Sequence, residues 1–416
     1  MMAPSVQLMK NVPDAIVIGG GPVGSFAALN LAKLGARVTV FEEHTDIGSP
    51  SHCAGYLSIQ SLKKLGLYPL PGKIIENTFS AAIIYSPLGT KLSVRLAHPI
   101  TAAVNRTLFD KYLAEKAEAA GAHYCLNSRV QSLLMDSGFV KGVNVKQNDK
   151  NEEKAWAKIV VDAEGISSRI LRQTGLSTLN RDRLVYAVEA EVENVKDVEL
   201  DAVEVFLGKT YAPGFYAWLI PRLDGTAKVG LATKTGNPKD FLRRLMLRHP
   251  VASKQLGTAK ITRTAFHPIA LGGPISKAYS NGFLAVGDAA SQVKPTTGGG
   301  VIFGLTCARI AAEVANEAMR RNDVSSNYLR LYQKRCKDTL GFDFNVMLRI
   351  RKFLDSLSDE KVDAALRFCE RVGLNKTLQN VEEIDFQGQA LLKILTKPVM
   401  FAALAYFLML YLSANP

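Results

Sequence analysis

Residues 14–42 restrict the fold of this chain more than any other stretch. Asp14-Ala-Ile-Val-Ile18 reads as a short apolar strand. It runs into Gly19-Gly20-Gly21-Pro22-Val23-Gly24, in which Gly19, Gly21 and Gly24 form a GxGxxG. A helix is expected from Ser25 to Leu34, then Gly35, then a second strand Arg37-Val-Thr-Val-Phe41 closed by Glu42, 18 residues after Gly24. Strand, glycine turn, helix, strand and terminal acid make a complete βαβ unit. The glycines let backbone N–H groups approach a diphosphate, and Glu42 stands where the ribose hydroxyls of an adenosine would lie. The pattern predicts a Rossmann-like, doubly wound α/β domain that holds a dinucleotide.

A second glycine-rich turn names the kind of dinucleotide. The apolar strand Phe283-Leu-Ala-Val286 ends in Gly287-Asp288, and Lys294-Pro-Thr-Thr-Gly298-Gly299-Gly300 leads into a helix beginning near Val301. A carboxylate there can accept hydrogen bonds from ribityl hydroxyls. The glycines admit a ring and a diphosphate, and the positive end of the helix faces the part of a flavin that becomes anionic on reduction. Between the two turns stands Val160-Val-Asp162-Ala-Glu164-Gly165-Ile-Ser-Ser168-Arg169. The three motifs, in this order, resemble the flavoprotein superfamily of p-hydroxybenzoate hydroxylase type. Glu164 takes the place of that superfamily's middle Asp. Arg106 in Val104-Asn-Arg-Thr-Leu-Phe-Asp110 matches an Arg that the resemblance places near FAD.

Composition agrees with a multidomain globular chain. The 416 residues are 47% hydrophobic and 21% charged, enough apolar content for large cores in two or three domains. Met1 to Val12 is too short and too polar for a signal peptide, so a cytoplasmic location is expected. Five cysteines and six histidines show no metal-ligand spacing, and no metal is expected. The net charge of +13 is concentrated between Lys234 and Arg263, where eight basic residues face the single acid Asp240. Asp240 to Arg248 reads as a basic amphipathic helix, suited to anionic headgroups or an acidic electron-transfer partner, or simply a solvated helix face. No nucleic-acid motif is present, and the basic residues are not interleaved with stacking aromatics.

The cofactor motifs are far apart, so the FAD-binding domain is expected to be discontinuous, taking residues 12–58, 101–178 and 279–320. It should include a helix Leu108–Ala120, a strand near Cys125 and a hairpin Val130–Val145. The inserts 59–100 and 179–278 read as strands of a mostly antiparallel substrate-domain sheet closing over the flavin. Residues 321–416 read as a helical C-terminal region. Its apolar tail, Val399 to Leu412, reaches only about 21 Å as a helix, against about 30 Å for a hydrocarbon core. A buried helix, a partner surface or an interfacial anchor are the readings left.

Two further segments, taken with Lys294-Pro-Thr-Thr-Gly-Gly-Gly300, narrow the family. They are Gly48-Ser-Pro-Ser-His-Cys53-Ala54-Gly55 and Ala212-Pro-Gly-Phe-Tyr216-Ala-Trp218-Leu-Ile-Pro221. Together they resemble the geranylgeranyl reductase family, which carries a CAGG-like loop, a YxWxFP motif and a KPTTGGG turn. Tyr56 and Ile220 depart from those patterns. The resemblance covers about residues 12–320 and fades beyond. It implies FAD-dependent saturation of carbon–carbon double bonds in polyprenyl groups, with a prenyl-chain lipid or prenyl diphosphate as substrate. NAD(P)H or ferredoxin would donate electrons, and contact with the inner face of the membrane would be peripheral. On a strand, Tyr216, Trp218 and Ile220 share one face, which can line a prenyl tunnel or simply form an aromatic sheet core.

Cys53, Tyr216 and Trp218 are the catalytic candidates. The cofactor-binding candidates are Gly19, Gly21, Gly24, Glu42, Cys53, Ala54, Arg106, Val130, Gly287, Asp288, Gly298, Gly299, Gly300 and Val301. Cys53 and Cys307 are expected to flank one pocket and to pair. Tyr216-Ala-Trp-Leu-Ile-Pro221 also differs by one residue from the WxWxIP of flavin halogenases. A halogenase or monooxygenase of the same fold, or a non-catalytic isoprenoid-binding flavoprotein, are the alternatives.

Overall fold

The computed structural model describes residues 12–147, 151–379 and 381–413. Most of the leading segment Met1–Val12 lies outside them. The six-stranded sheet at the centre runs Tyr279–Ser280, Phe283–Ala285, Ile159–Asp162, Ala15–Ile18, Val38–Phe41, His123–Cys125. All neighbours are parallel except the first pair. Strands Ala15–Ile18, Val38–Phe41 and Ile159–Asp162 are buried at every residue. That is why they read as unbroken apolar runs rather than alternating ones. Helices Pro22–Lys33, Arg106–Ala119 and Val301–Arg320 pack on this sheet, as does a three-stranded antiparallel sheet of Ser128–Asp136, Phe139–Gln147 and Glu152–Trp156. The last of these extends the expected hairpin by one strand.

A seven-stranded sheet runs Lys260–Ala270, Leu184–Glu193, Ala227–Thr233, Ala217–Pro221, Ala202–Phe206, Ala81–Tyr85, Lys91–Arg95. It is antiparallel except where Ala81–Tyr85 lies parallel to Ala202–Phe206. The small sheet of Tyr56–Ser58, Thr101–Val104 and Ile75–Phe79 lies against its front face, where Ile220 packs with Phe79 and Ala103. The back face is covered by Pro238–Arg248 and Ala252–Leu256. The basic amphipathic helix therefore has its apolar partner inside the protein. Leu242, Leu245 and Met246 are buried on the sheet, and the arginines point outward.

After Val301–Arg320 the chain is helical: Ser326–Ser356, Asp359–Arg371, Leu374–Leu378, Gln387–Ile394 and Pro398–Leu412. The final helix buries Met400, Ala403 and Leu410 against Phe353, Leu366 and their neighbours. Its opposite side leaves Phe401, Leu404, Leu408, Met409 and Leu412 between 40 and 63% exposed. Among the described residues no single helix is long and apolar enough to cross a membrane. Gln387–Ile394 and Pro398–Leu412 are so only together, bent by 119°.

Glu204 sits on the back face of the large sheet, 2% exposed. Its Oε1 accepts from Gln255 Nε2 at 2.8 Å, and its Oε2 has no partner. Burial raises its pKa from 4.5 to about 7. A raised carboxyl pKa gives stability that is complete below the unfolded value and lost as pH rises through the folded one. Glu204→Gln is expected to unfold at the wild-type temperature at pH 4.5. At pH 8 it should be more stable by about 3 kcal/mol. Thermal melts at the two pH values check this, and equal shifts at both would contradict it.

Candidate active site

The three cofactor motifs meet at the carboxyl ends of the central strands. Gly24 lies so near Gly19 that a Cβ there would stand 2.0 Å from the Gly19 carbonyl oxygen and 3.2 Å from the Ala163 side chain. Val23, one residue earlier, lies against Gly287 and Gly304. Helix Pro22–Lys33 starts at Gly21 with no side chain capping its free N–H groups, and a Cβ on Gly21 would meet nothing within 4 Å. Helix Val301–Arg320 starts at Gly300, also with no side-chain cap, and beside Asp288. Gly298 takes a positive φ of 70° in the turn before it. Two uncapped helix N-termini, the first fronted by open space and each near a carboxylate, fit a dinucleotide with its diphosphate over the backbone and its sugars on Asp288 and Glu42. FAD has this shape.

Glu42 is aimed by its surroundings. Its Oε2 accepts from Gly20 N at 2.7 Å, and its Oε1 accepts from His44 N at 2.9 Å and contacts His44 Nδ1 at 2.5 Å. Asp288 is a third exposed and lies 3.9 Å from His267, whose ring stacks on His52 at 5.9 Å. These two histidines were not singled out from sequence. His52 belongs to the Gly48–Gly55 loop, which packs on Val104, Arg106 and Thr107. Arg106 forms a two-pronged pair with Asp110, both contacts 3.0 Å, and neighbours Cys53.

Hydrogen bonds also fix the backbone around Glu164, Val130 and Ala54. Glu164 accepts from Arg169 N, Ile170 N and Leu171 N at 2.7–3.0 Å and from Ser167 Oγ at 2.7 Å. It caps the turn that follows it, and its longer side chain suits that task. The Val130 carbonyl accepts from Arg169 Nη2 at 2.7 Å. The Ala54 carbonyl accepts from the buried Lys228 Nζ at 3.0 Å. The expected pairing of Cys53 with Cys307 is corrected. All five cysteines are free, Cys53 is exposed beside Arg106, and Cys307 is buried among Cys336 and Tyr332. Cys307 sits on the face of its helix turned to Ser326–Ser356, so the topology that brings the helix start to the flavin site points this thiol into the core.

The aromatic strand fronts the same place. Tyr216 donates its hydroxyl to the Thr297 carbonyl at 2.8 Å, so it touches the Lys294–Gly300 turn directly. Burial raises its pKa well above the usual phenol range and keeps it neutral. Trp218 packs edge-on to Tyr216 at 6.0 Å and donates Nε1 to Glu189 at 3.3 Å. Gly230 opposite has no room for a Cβ, which would meet the indole at 2.4 Å. Burial raises the Glu189 pKa to about 6.

Beside the aromatics lies an ionic cluster that sequence reading did not find. Lys228 pairs with Glu76 at 2.6 Å, and Arg222 bridges Glu76 and Glu191. The one signal was a lysine on the glycine-bearing face of an otherwise apolar strand, Ala227–Thr233. Equally unforeseen, Lys294 of the flavin turn forms a buried ion pair with Asp385, and Thr296 donates to Gln387 at 2.7 Å. The C-terminal region thus closes on the turn.

Residues 13–309 match the family described as FAD binding domain, and fold and site together define a flavoprotein that binds FAD. The chain is 34% identical over 377 residues to digeranylgeranylglycerophospholipid reductase 2 of Methanopyrus kandleri, covering 89% of this chain and 94% of that one. It belongs to the family of these reductases. Among solved structures, a geranylgeranyl bacteriochlorophyll reductase-like protein from Thermoplasma acidophilum superposes with a TM-score of 0.84 at 26% identity, covering 95% of this chain and 99% of that one. A flavin-dependent brominase reaches 0.70 at 19% identity, covering 92% and 93%, and shares the fold alone.

Two glycine substitutions separate cofactor binding from folding. Gly21→Ala projects a methyl into the open space before the helix start. It is expected to keep the apoprotein melting temperature and weaken FAD binding at least about tenfold, by steric exclusion from a close-approach site. Gly24→Ala places its Cβ against backbone and is expected to lose folded protein. Flavin titration and circular dichroism check both. Undiminished FAD affinity in Gly21→Ala would contradict this placement of the diphosphate.

Proposed function

We infer that this chain is an FAD-dependent reductase that saturates carbon–carbon double bonds of geranylgeranyl or related polyprenyl groups. The observation that carries the reading is the contact of Tyr216 with Thr297. It sets an aromatic wall continuous with Trp218 directly on the turn that faces the flavin ring. Relatives named digeranylgeranylglycerophospholipid reductases, at 34–35% identity over most of the chain, support the prenyl lipid as substrate class. The halogenase alternative rests on a likeness of fold only.

When bound, reduced FAD supplies the hydride. The chain supplies the surroundings. An isolated trisubstituted alkene accepts a hydride only if a proton arrives early or together with it, so positive charge develops at the tertiary carbon. The faces of Tyr216 and Trp218, both partly buried, stabilise such charge. Glu189 fixes the indole through its Nε1 hydrogen bond. The proposed proton donor is the exposed Cys53 thiol beside Arg106, while the Tyr216 hydroxyl, whose one proton is directed at the Thr297 carbonyl, fixes the aromatic wall in place. We further propose that a soluble carrier, NAD(P)H or ferredoxin, reduces the flavin. The protein would work from the cytoplasm against the inner membrane face. The exposed apolar side of Pro398–Leu412 supports that location.

Anaerobic incubation of the dithionite-reduced holoprotein with geranylgeranyl lipids is expected to add two hydrogens per bond to the product mass. No mass gain there, with oxygen or halogen gained once air and halide are admitted to the reduced protein, overturns the assignment. Trp218→Ala should cut prenyl turnover at least about tenfold, the loss of a large aromatic contact, while leaving flavin content unchanged. Replacing Phe401 and Leu408 by Asp should reduce sedimentation with liposomes. Unchanged sedimentation would argue against this helix as the contact.

A further inference from the structure

One buried cation near the site is only partly matched by its contacts, a single carboxylate and the face of Phe215. Arg351, on helix Ser326–Ser356, is 7% exposed, and its Nε has no hydrogen-bond partner. Its one carboxylate neighbour is Asp355, 2.7 Å from Nη2 and four residues further along the same helix. That pair ties no two elements together. Burying a guanidinium carries a desolvation cost that a single, 37%-exposed carboxylate offsets only in part.

Arg351 lines a cavity between its own helix and the Leu207–Tyr216 loop. The other walls are apolar, with Leu207, Leu354, Leu357 and Val362 among them, and Lys209 stands at the exposed rim. The charges facing the space are Arg351, Lys209 and Asp355, a net positive. The nearby Asp359 carboxylate is already engaged, accepting from Lys209 N and Thr210 N at 2.5 and 3.0 Å. From the guanidinium a continuous aromatic path leads to the flavin turn. Arg351 lies 5.8 Å from the Phe215 ring centre, Phe215 stacks on Tyr216 at 4.3 Å, and Tyr216 touches Thr297. The same long helix carries Phe353, which packs on Phe407 and Tyr411 of the apolar Pro398–Leu412 helix.

We propose that this cavity is the seat of the substrate's phosphate, with Arg351 as its buried anchor and Lys209 at its rim. The proposal rests on the prenyl-reductase reading and adds the recognition of the head to that of the chain. A planar guanidinium with an unpartnered Nε–H suits the tetrahedral oxygens of a phosphate, whether of a prenyl diphosphate or of a prenyl ether phospholipid. A head held there lays the first isoprene unit along Phe215 and Tyr216 toward the flavin turn.

The test compares three substrates that share the prenyl chain, geranylgeranyl diphosphate, a digeranylgeranyl phospholipid and the phosphate-free geranylgeraniol, on FAD-loaded wild type and Arg351→Met. The expected result is a KM raised about 10- to 100-fold for the phosphate-bearing substrates, as for a lost charge-assisted contact, with geranylgeraniol kinetics within about twofold. Arg351→Lys should recover part of the loss. Loss on one phosphate-bearing substrate alone supports the seat and identifies its natural head. Equal loss on all three, or none on any, overturns it. Binding of inorganic diphosphate, followed by calorimetry, should be present in wild type and absent in Arg351→Met. This arm still decides on the seat if no substrate is reduced, an outcome that would sink the reductase reading instead. Melting temperature and flavin content of the variant confirm that it is folded.

Discussion

Everything else in the molecule hangs on the backbone ladder of strand Ala15–Ile18. It pairs residue for residue with Val38–Phe41 on one side and Ile159–Asp162 on the other. The ladder fixes where three strands end, and so where Gly19, Glu42 and Ala163 stand. The helix after Gly21 can reach that edge only because Gly24 lacks a Cβ. The same helix then presents Val23 to Gly287 and Gly304, which sets the start of helix Val301–Arg320. One strand register and three missing methyl groups, at Gly24, Gly287 and Gly304, thus determine the distance between the two helix N-termini. A crevice at the carboxyl edge of parallel strands is where this architecture places ligands generally.

The second layer of control is electrostatic. The flavin turn carries Lys294, and its counter-charge comes from Asp385, far along the chain. Glu383 pairs with Lys64, and Gln387 accepts from Thr296. The segment 383–387 therefore buckles the helical region onto the turn at two points and onto helix Ile59–Lys64 at a third. Tyr216 adds a third contact to the turn from the large sheet. The turn is held from both sides, so the aromatic wall and the cofactor edge keep a fixed spacing, which hydride transfer requires.

Sequence reading recovered what depends on local pattern. Strands such as Ala-Ile-Val-Ile and Ile-Val-Val-Asp announce themselves because both faces are buried. The glycine triplets are visible because only glycine tolerates the approach of Gly24 to Gly19. Tyr216 and Trp218 fell on one face because a strand alternates. What stayed hidden depends on depth and on distant partners. Lys228, Glu76 and Arg222 look like surface charges until the sheets are stacked. Lys294 and Asp385 stand 91 positions apart with nothing local to link them. Glu164 read as a departure from a motif, whereas its three accepted backbone N–H bonds make it the cap of a turn. The Cys53–Cys307 pairing failed because position along a helix was used without its rotation.

The parallel pairing of Ala81–Tyr85 with Ala202–Phe206 carries a consequence for how such chains diversify. The seven-stranded sheet is assembled from two stretches, and between them the chain returns to lay down His123–Cys125 and Ile159–Asp162 of the central sheet. Neither layer is a continuous segment, so no single crossover between two genes can exchange one for the other. A hybrid inheriting only residues 179–278 would meet a foreign neighbour along Ala81–Tyr85 and a foreign Glu76 beneath its Lys228. Change in this architecture must therefore proceed residue by residue within both layers, not by swapping a module.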